Sequence, residues 1–263
     1  MIINHNKKNK LITKKDCTCI NPVVKEKSFN EEVILDYDKV GHVYNYNGKQ
    51  LKSVTEYLKK YYGKFELELI AKVCGKSWGV EPQAVIDLWD SNKDISSLFG
   101  TAIHDALEHY EKFSNLGGVI SKTREQDENY ALPKHPLLKR IILEFIKINP
   151  IKGQVMAEVL LTDIKSGLGG RADRLVILDR EKKICRIGDY KINVESDKIE
   201  KNLKPFEPFN TLPANKITKY QIQLSIYANM LQKAGWTVTG LDVYVYEDKW
   251  KYYDLPILQV LTK

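Results

Sequence analysis

The chain has 263 residues, which suits one large hydrophobic core or two small ones, and 43% of them are hydrophobic, as in globular proteins. No apolar run approaches the roughly 20 residues that cross a bilayer, so no membrane-spanning segment is expected. Forty-one Lys and Arg against 34 Asp and Glu leave a net charge of +7. This excess favours a polyanionic partner such as nucleic acid, although AT-biased codons alone would also produce a lysine-rich surface.

The cysteines and the first residues indicate the compartment. The four cysteines form no Cys-x-x-Cys pair, so neither a zinc ribbon nor a disulfide framework is expected. The first 15 residues lack the apolar stretch of a secretory signal, and the first arginine, Arg124, comes too late for a mitochondrial presequence. We therefore expect a cytoplasmic protein.

The chain divides into an arm and one domain. Residues 1–32 show no sustained periodicity and are predicted to be an N-terminal arm or an irregular strap. Residues 33–263 are predicted to form a single domain. Within it, a hairpin and helices over 33–150 precede a sheet over 151–263, which is expected to bear the chemistry.

Turn and capping signals define the first elements of the domain. Asn47 and Gly48 lie inside an alternating stretch and predict a tight β-hairpin. Ser53 and Glu56 form a capping-box pattern, which predicts a helix that runs to about Tyr62.

Three further helices are predicted before the sheet. They cover residues 84–89, 97–113 and 137–148. His104 and Glu108 lie one turn apart on the second of these helices, beside its apolar stripe. Pro150 ends the third.

Strand-like runs dominate the second half of the chain. The predicted strands cover residues 155–162, 171–178, 184–193, 237–246 and 249–254. One helix over 218–234 lies among them and ends at Gly235, which suits a left-handed cap. The predicted fold class is therefore α/β (or α+β), with a central mixed sheet flanked by helices.

An acidic residue two positions before a lysine occurs inside one apolar strand. Composition alone predicts about as many such triplets as the four present, so only the strand context distinguishes Asp189-Tyr190-Lys191 from the others. Because side chains alternate along a strand, Asp189 and Lys191 should share a face while Tyr190 points away. Gly188 would let a ligand or a neighbouring backbone approach closely.

A second aspartate, Asp173, lies in the preceding predicted strand. Two half-buried carboxylates on neighbouring strands repel each other unless a cation or a proton lies between them. Magnesium or manganese is the expected cation, because the available ligands are oxygens and no cysteine pair favours zinc. The alternative is that each aspartate pairs with an arginine of these strands, namely Arg171, Arg174 or Arg186.

Four separated segments occur in a fixed order. They are residues 100–104 (GTAIH) with Glu108, 170–173 (GRAD), 188–191 (GDYK) and 220–227 (YQIQLSIY). In this order and spacing they resemble the PD-(D/E)XK nuclease superfamily, and specifically its RecB-like branch, which includes phage exonucleases and the mitochondrial genome maintenance exonuclease. The resemblance spans roughly residues 41–234.

The resemblance implies a fold and a catalytic centre. It implies a restriction-endonuclease-like core whose elements follow in the order αβββαβ. It also implies that His104, Asp173 and Asp189 bind the metal, with the backbone carbonyl of Tyr190 as a further ligand. Lys191 would hold or deprotonate the attacking water and neutralise charge in the transition state. For His104 alone, a packing role is the alternative.

Other acidic and polar residues are candidates for the same site. Glu158 on the preceding strand is a further catalytic candidate, and Asp163 competes with it for this role. In the family, the helix edge that bears Tyr220, Gln223 and Tyr227 contacts the scissile strand. The alternative for the two tyrosines is a core stripe with their leucine neighbours. Glu108 is counted with the nucleic-acid-binding residues.

A polar segment over residues 196–216 follows the catalytic strand. Its lysines, Lys204 among them, would bind phosphates, and its phenylalanines, Phe206 among them, would stack on bases. This combination suits the gripping of a single strand. An ordinary solvated loop is the alternative.

The predicted function is that of a metal-dependent DNA exonuclease of phage-type recombination or DNA processing. A structure-selective or nicking endonuclease and a non-catalytic nucleic-acid-binding module are the alternatives. The expected cofactor is Mg²⁺ or Mn²⁺, and no iron–sulfur cluster is expected because no cysteine follows Cys185. The expected partners are single-stranded or end-bearing double-stranded DNA and a recombination or single-strand annealing protein, with no membrane partner.

Overall fold

A computed structural model describes residues 23–38, 41–63, 66–114 and 131–260. These ranges contain five α-helices and nine strands, and all nine strands belong to one mixed sheet. The predicted mixed α/β class is therefore confirmed. No helix in the described ranges is both long and apolar enough to cross a membrane. Most of the predicted arm, residues 1–22, lies outside the described residues.

The elements have the following bounds. The helices are α1 (Val54–Leu58), α2 (Leu67–Trp78), α3 (Pro82–Ser114), α4 (Pro136–Ile148) and α5 (Lys216–Lys233), and short 3₁₀ helices cover Lys59–Tyr61 and Lys201–Leu203. The strands are β1 (Val23–Lys27), β2 (Ile34–Asp38), β3 (Val43–Tyr46), β4 (Lys49–Ser53), β5 (Gln154–Asp163), β6 (Leu168–Asp179), β7 (Ile184–Ile192), β8 (Thr237–Tyr246) and β9 (Trp250–Leu255).

The predicted turns and caps are confirmed. Asn47 and Gly48 join β3 to β4 with φ angles of 50° and 75°, the double positive φ of a type I′ hairpin turn. Ser53 Oγ accepts a hydrogen bond from the Glu56 amide at 3.1 Å and so caps α1. Gly235 follows α5 with a φ of 83°, the predicted left-handed cap.

Four elements differ from the prediction. β1 lies inside the segment predicted to be an arm, and it extends the sheet by pairing with β2, a strand that was not predicted either. Helix α2 was not predicted. The helices predicted over 84–89 and 97–113 are one continuous helix, α3, of 33 residues. The intervening residues 90–96 are polar but contain neither Pro nor Gly, so no residue there breaks the helix.

The sheet is interrupted along one edge of β6. The strand order is β1-β2-β3-β4-β6-β7-β8-β9, and β5 pairs with the other edge of β6. β4 pairs with β6 only at Leu168 and Gly169, whereas β7 pairs with it from Arg174 onward. Residues 170–173 of β6 therefore have no partner on this edge among the described strands, and the sheet opens there.

Helices cover both faces of the sheet. On one face, α1 and α5 pack against β6, β7 and β8 around residues such as Leu175, Ile187 and Leu224. On the other face, α3 and α4 pack around Phe145 and Tyr190. The result is three layers in which the gap in β6 lies between the two helical layers.

A buried ion pair joins α3 to β6. Arg174 Nε donates a hydrogen bond to Glu111 Oε1 at 2.7 Å, and the two side chains are 0% and 3% exposed. Arg174 also donates to the hydroxyl of Tyr244 at 3.2 Å. A charge removed from water to this degree is tolerated only with its partner in place, so the pair fixes the helix against the strand.

We expect Glu111→Leu to lower the free energy of unfolding by about 3–5 kcal/mol, because it leaves the Arg174 charge buried without its carboxylate. The double variant Glu111→Leu/Arg174→Met should be more stable than this single variant. Urea unfolding followed by tryptophan fluorescence measures both. Glu144→Leu is the control: Glu144 lies 3.7 Å from the mostly exposed Arg140, and losing that contact should cost at most about 0.5 kcal/mol. Equal losses in Glu111→Leu and Glu144→Leu would contradict the assigned role of the pair.

Candidate functional site

An open cleft of about 950 Å³ lies where β6 lacks its strand partner. Gly170, Arg171 and Asp173 of β6 line it. Helix α3 supplies one wall, which includes His104, and the rest of the lining comes from the hairpin, α1, β5, the end of β7 and α5. The cleft therefore forms at the one place where the sheet parts between its two helical layers.

Asp173 links the two strands beneath the cleft. The β6–β7 ladder begins at the Arg174–Gly188 pair, and the next amide of β7 on this side, that of Tyr190, donates instead to Asp173 Oδ2 at 3.0 Å. His104 Nδ1 lies 3.5 Å from the same oxygen. The Asp173 side chain thus replaces a backbone acceptor where β7 diverges from β6.

Asp189 and Lys191 share one face of β7, as strand alternation requires. Lys191 Nζ lies 2.7 Å from Asp189 Oδ1 and 2.6 Å from Oδ2, and the hydrogen bond is directed at Oδ1. Asp189 is buried, whereas Lys191 lines the cleft. Tyr190 places its ring in the core on the opposite face, beside Phe145. Gly188 accommodates the neighbouring Asp242, since an added Cβ would lie 3.1 Å from its backbone oxygen.

Burial and charge shift the ionisation of these groups. Burial, followed by the charge of Asp173, raises the pKa of Asp189 to about 8 despite the opposing effect of Lys191. Burial lowers the pKa of Lys191, but the charges of Asp189 and Asp173 outweigh burial and raise it overall. Burial and the charge of Lys191 lower the pKa of His104, so its imidazole is neutral near pH 7 and keeps a lone pair for a ligand.

The arginines of these strands do not neutralise the aspartates. Arg171, Arg174 and Arg186 each bind a carboxylate, but never that of Asp173 or Asp189. Their partners are Glu26, Glu158, Glu111, Asp242 and Asp254. The alternative that arginine pairing explains both aspartates is therefore wrong.

The atoms around Asp173 that could bind a divalent cation are carboxylate oxygens, which a hard cation prefers, and one imidazole nitrogen. Two carboxylates repel each other across neighbouring strands, and a neutral imidazole lies beside them. By donor type, Asp173, Asp189 and His104 fit such an ion. Within the described part of the chain, however, no three His, Cys, Asp or Glu side chains already form a metal-binding group. Lys191 is bound to Asp189, so a cation that binds the Asp189 carboxylate would compete with the Lys191 ammonium group.

Glu158 and Asp163 lie in different places. The pairs on either side of Glu158 in the β5–β6 ladder place it opposite Asp173, and it lines the cleft with a φ of 53°. Its carboxylate lies 3.8 Å from Arg171. Asp163 instead lines a separate small cavity, where it binds Lys233 at 2.6 Å. Of the two competing carboxylates, only Glu158 is at the cleft.

Helix α5 brings two of its three predicted residues to the cleft. Gln223 and Tyr227 line it, while the ring of Tyr220 lies 5.1 Å from Lys191 Nζ, beside the cleft. Tyr227 is also part of the core, and its hydroxyl occupies space that Gly170 leaves open: an added Cβ at Gly170 would lie 2.5 Å from it. The core-stripe alternative therefore describes part of the role of Tyr227.

The predicted gripping segment does not form a wall of the cleft. Neither Lys204 nor Phe206 lines it. Lys204 Nζ donates to the Leu212 carbonyl at 3.1 Å, which closes the segment on itself, and Phe206 is exposed. Phe209 is buried against Tyr61 in the core that α1 and α5 form with the sheet, and it does not line the cleft.

Helix α3 contributes cleft residues that the sequence analysis missed. Lys93, Ser97 and Thr101 line the cleft together with His104 and Glu108. Their spacing of three or four residues is the signal that would have found them. It was missed because the helix was predicted in two pieces with a break before residue 97.

The chain was compared with known proteins. No protein-family model matches it. Nor does the comparison with curated proteins find a match.

We expect Gly170→Ala to destabilise the protein by about 1–3 kcal/mol, because the new methyl group overlaps the buried Tyr227 ring. The matched control is Gly100→Ala, also in the cleft lining, where the nearest atom to the new Cβ is 3.9 Å away. That substitution should stabilise helix α3 by about 0.4–1 kcal/mol. Thermal unfolding of the two variants tests this contrast, and a stable Gly170→Ala variant would show that Tyr227 does not occupy this position.

Proposed function

We propose that this chain is a metal-dependent DNA nuclease of the PD-(D/E)XK superfamily, in its RecB-like branch, and that it acts in the cytoplasm as an exonuclease. The main support is one arrangement. The carboxylates of Asp173 and Asp189 and the ammonium group of Lys191 meet on two adjacent strands at an open cleft, with His104 3.5 Å from Asp173.

We assign the restriction-endonuclease-like core to the second half of the sheet. After α4 the elements follow in the order β5, β6, β7, α5, β8. β5, β6 and β7 are antiparallel, and β8 returns parallel to β7 after the α5 crossover. This succession supports the αβββαβ assignment. In it, Asp173, Asp189 and Lys191 belong to the two strands, β6 and β7, that diverge beside the gap.

Hydrolysis of a phosphodiester requires a positioned water and a site that stabilises the negative charge that develops on the phosphoryl oxygens. Lys191 supplies a positive charge at the edge of the cleft, where it would hold the water or contact a phosphoryl oxygen. Asp189 orients the lysine through their hydrogen bond. Glu158, opposite Asp173, would contact the water from the other side.

Asp173, Asp189 and His104 would hold the metal ion, with the Tyr190 backbone carbonyl as a further oxygen ligand. When bound, magnesium or manganese would supply Lewis acidity toward the phosphoryl oxygen and lower the pKa of water. An imidazole ligand suits manganese better than magnesium. Gln223 and Tyr227 would contact the scissile strand from α5, and Glu108 would border it from α3. A recombination or single-strand annealing protein is the proposed partner for the products.

We expect Asp189→Asn to lower cleavage of end-labelled single- and double-stranded DNA by at least about 100-fold, because it removes a carboxylate that would bind the metal ion while it preserves shape. Lys191→Ala should lose activity similarly. DNA affinity and the unfolding midpoint should change little in Asp189→Asn. Activity of the unsubstituted protein should require Mg²⁺ or Mn²⁺, disappear in EDTA, and not be restored by Ca²⁺.

The matched control is Asp163→Asn, which changes another buried aspartate outside the cleft. It should keep its cleavage activity. Asp189→Asn that cuts within tenfold of the unsubstituted protein, in repurified metal-free samples supplied with Mg²⁺, would remove the assigned site. Binding without cleavage by the unsubstituted protein in either metal would favour the non-catalytic module.

We further expect cleavage to begin at a DNA end, as the resemblance to exonucleases implies. Linear DNA should be degraded while a covalently closed circle of the same sequence resists, since a closed circle offers no terminus. Agarose gels that follow both substrates over time measure this. Equal rates on both forms would replace the exonuclease with a structure-selective or nicking endonuclease.

A further inference from the structure

The cleft has too little positive charge of its own to hold a polyanion. Its carboxylates outnumber its lysine and arginine side chains. The acidic residues that line it are Asp105, Glu108, Glu158 and Asp173, and the basic ones are Lys93, Arg171 and Lys191. Arg171 is also bound to Glu26. A nucleic acid strand that enters this cleft therefore needs cations from a neighbouring surface.

Helix α5 leads from the cleft to such a surface. Lys216, Lys219, Gln223 and Tyr227 follow one another at helical spacing and lie along one face. Gln223 and Tyr227 line the cleft, so Lys219 lies one turn, or about 6 Å, farther along the helix. The Lys191 ammonium group lies 5.1 Å from the ring of Tyr220, the residue after Lys219. Lys191 therefore lies near the part of α5 that bears Lys219, and its charge acts on Lys219.

A second element brings another lysine to the same place. Helix α1 packs against α5, and the 3₁₀ helix that follows α1 begins with Lys59. Burial, and then the charges of Lys191, Lys216 and Lys59, lower the pKa of Lys219. Three positive charges thus act on Lys219, and an anion bound beside Lys219 would offset their effect.

Two lysines of this group have no carboxylate partner. Among the described residues, neither Lys59 nor Lys219 has a carboxylate oxygen within 4.0 Å, whereas Lys191 is bound to Asp189 and Lys216 lies 3.9 Å from Glu200. Lys59 and Lys219 are therefore available for a ligand.

We propose that Lys59 and Lys219, with Lys216 beside them, form a binding subsite for a phosphate of the substrate strand next to the scissile phosphate. This subsite rests on the proposed nuclease function and adds to it the place where the strand is held. The ligand is a nucleic acid phosphate, either an internal phosphodiester or a terminal phosphomonoester. The lysines that would bind the nucleic acid strand are thereby separate from the acidic residues of the cleft, and Lys191 lies between the two groups.

The test compares Lys59→Gln/Lys219→Gln with Lys147→Gln/Lys152→Gln in the full chain. Both double variants remove two positive charges, but Lys147 and Lys152 are exposed and outside the cleft lining. The substrates are a single-stranded oligonucleotide with a terminal phosphate and the same oligonucleotide with a terminal hydroxyl. We expect the first variant to raise KM roughly tenfold, with a smaller fall in kcat, and to reduce the slope of log affinity against log salt by about 1.4.

A rise in KM on both substrates identifies an internal phosphate, and a rise only on the phosphorylated one identifies a terminal phosphate. Lys59→Arg/Lys219→Arg keeps both charges and should retain most of the binding. If the glutamine variant matches the Lys147→Gln/Lys152→Gln control in KM and salt slope while both cleave DNA, the subsite is wrong and the nuclease stands. If the unsubstituted protein neither binds nor cleaves either oligonucleotide, the nuclease function is wrong and the subsite with it.

Discussion

The ion pair between Arg174 and Glu111 sets the geometry of the cleft. Both side chains are buried, so separating them would leave each charge buried without a partner, which is strongly destabilising. Glu111 lies two turns after His104 on α3, and Arg174 directly follows Asp173 on β6. The ion pair between Glu111 and Arg174 therefore also holds His104 beside Asp173, at 3.5 Å. The position of His104 beside Asp173 therefore depends on an ion pair whose residues do not line the cleft.

The gap in the sheet provides the second constraint. β4 and β7 each pair with one end of β6, and the residues between them have free backbone on that edge. The Asp173 carboxylate accepts the Tyr190 amide there, so the diverging strands stay joined without a complete ladder. The Asp173 carboxylate that bridges the two strands lies near Asp189, and burial, followed by the charge of Asp173, raises the pKa of Asp189. The same divergence opens the cleft and concentrates negative charge at its floor.

Charge is divided between two neighbouring surfaces. Carboxylates gather at the floor of the cleft, while the charges of Lys59, Lys191 and Lys216 act on Lys219 near the start of α5. Lys191 is bound to Asp189 and also lies beside Tyr220. In the proposed nuclease, a bound metal ion would contact only the scissile phosphate, so the neighbouring phosphates of the strand would need other cations. The net charge of +7 indicated such a partner but not where its phosphates would lie.

Local signals in the sequence were sufficient for the hairpin, the α1 cap, the Gly235 cap, the mixed α/β class and the shared face of Asp189 and Lys191. Each depends on residues within one turn or one strand, where backbone geometry decides the outcome. The partner of each arginine and the gap in β6 depend on contacts between residues far apart in the chain, such as the 63 positions that separate Arg174 from Glu111. Only the tertiary structure could decide these, because several oppositely charged partners were equally compatible with the local sequence and burial selected among them.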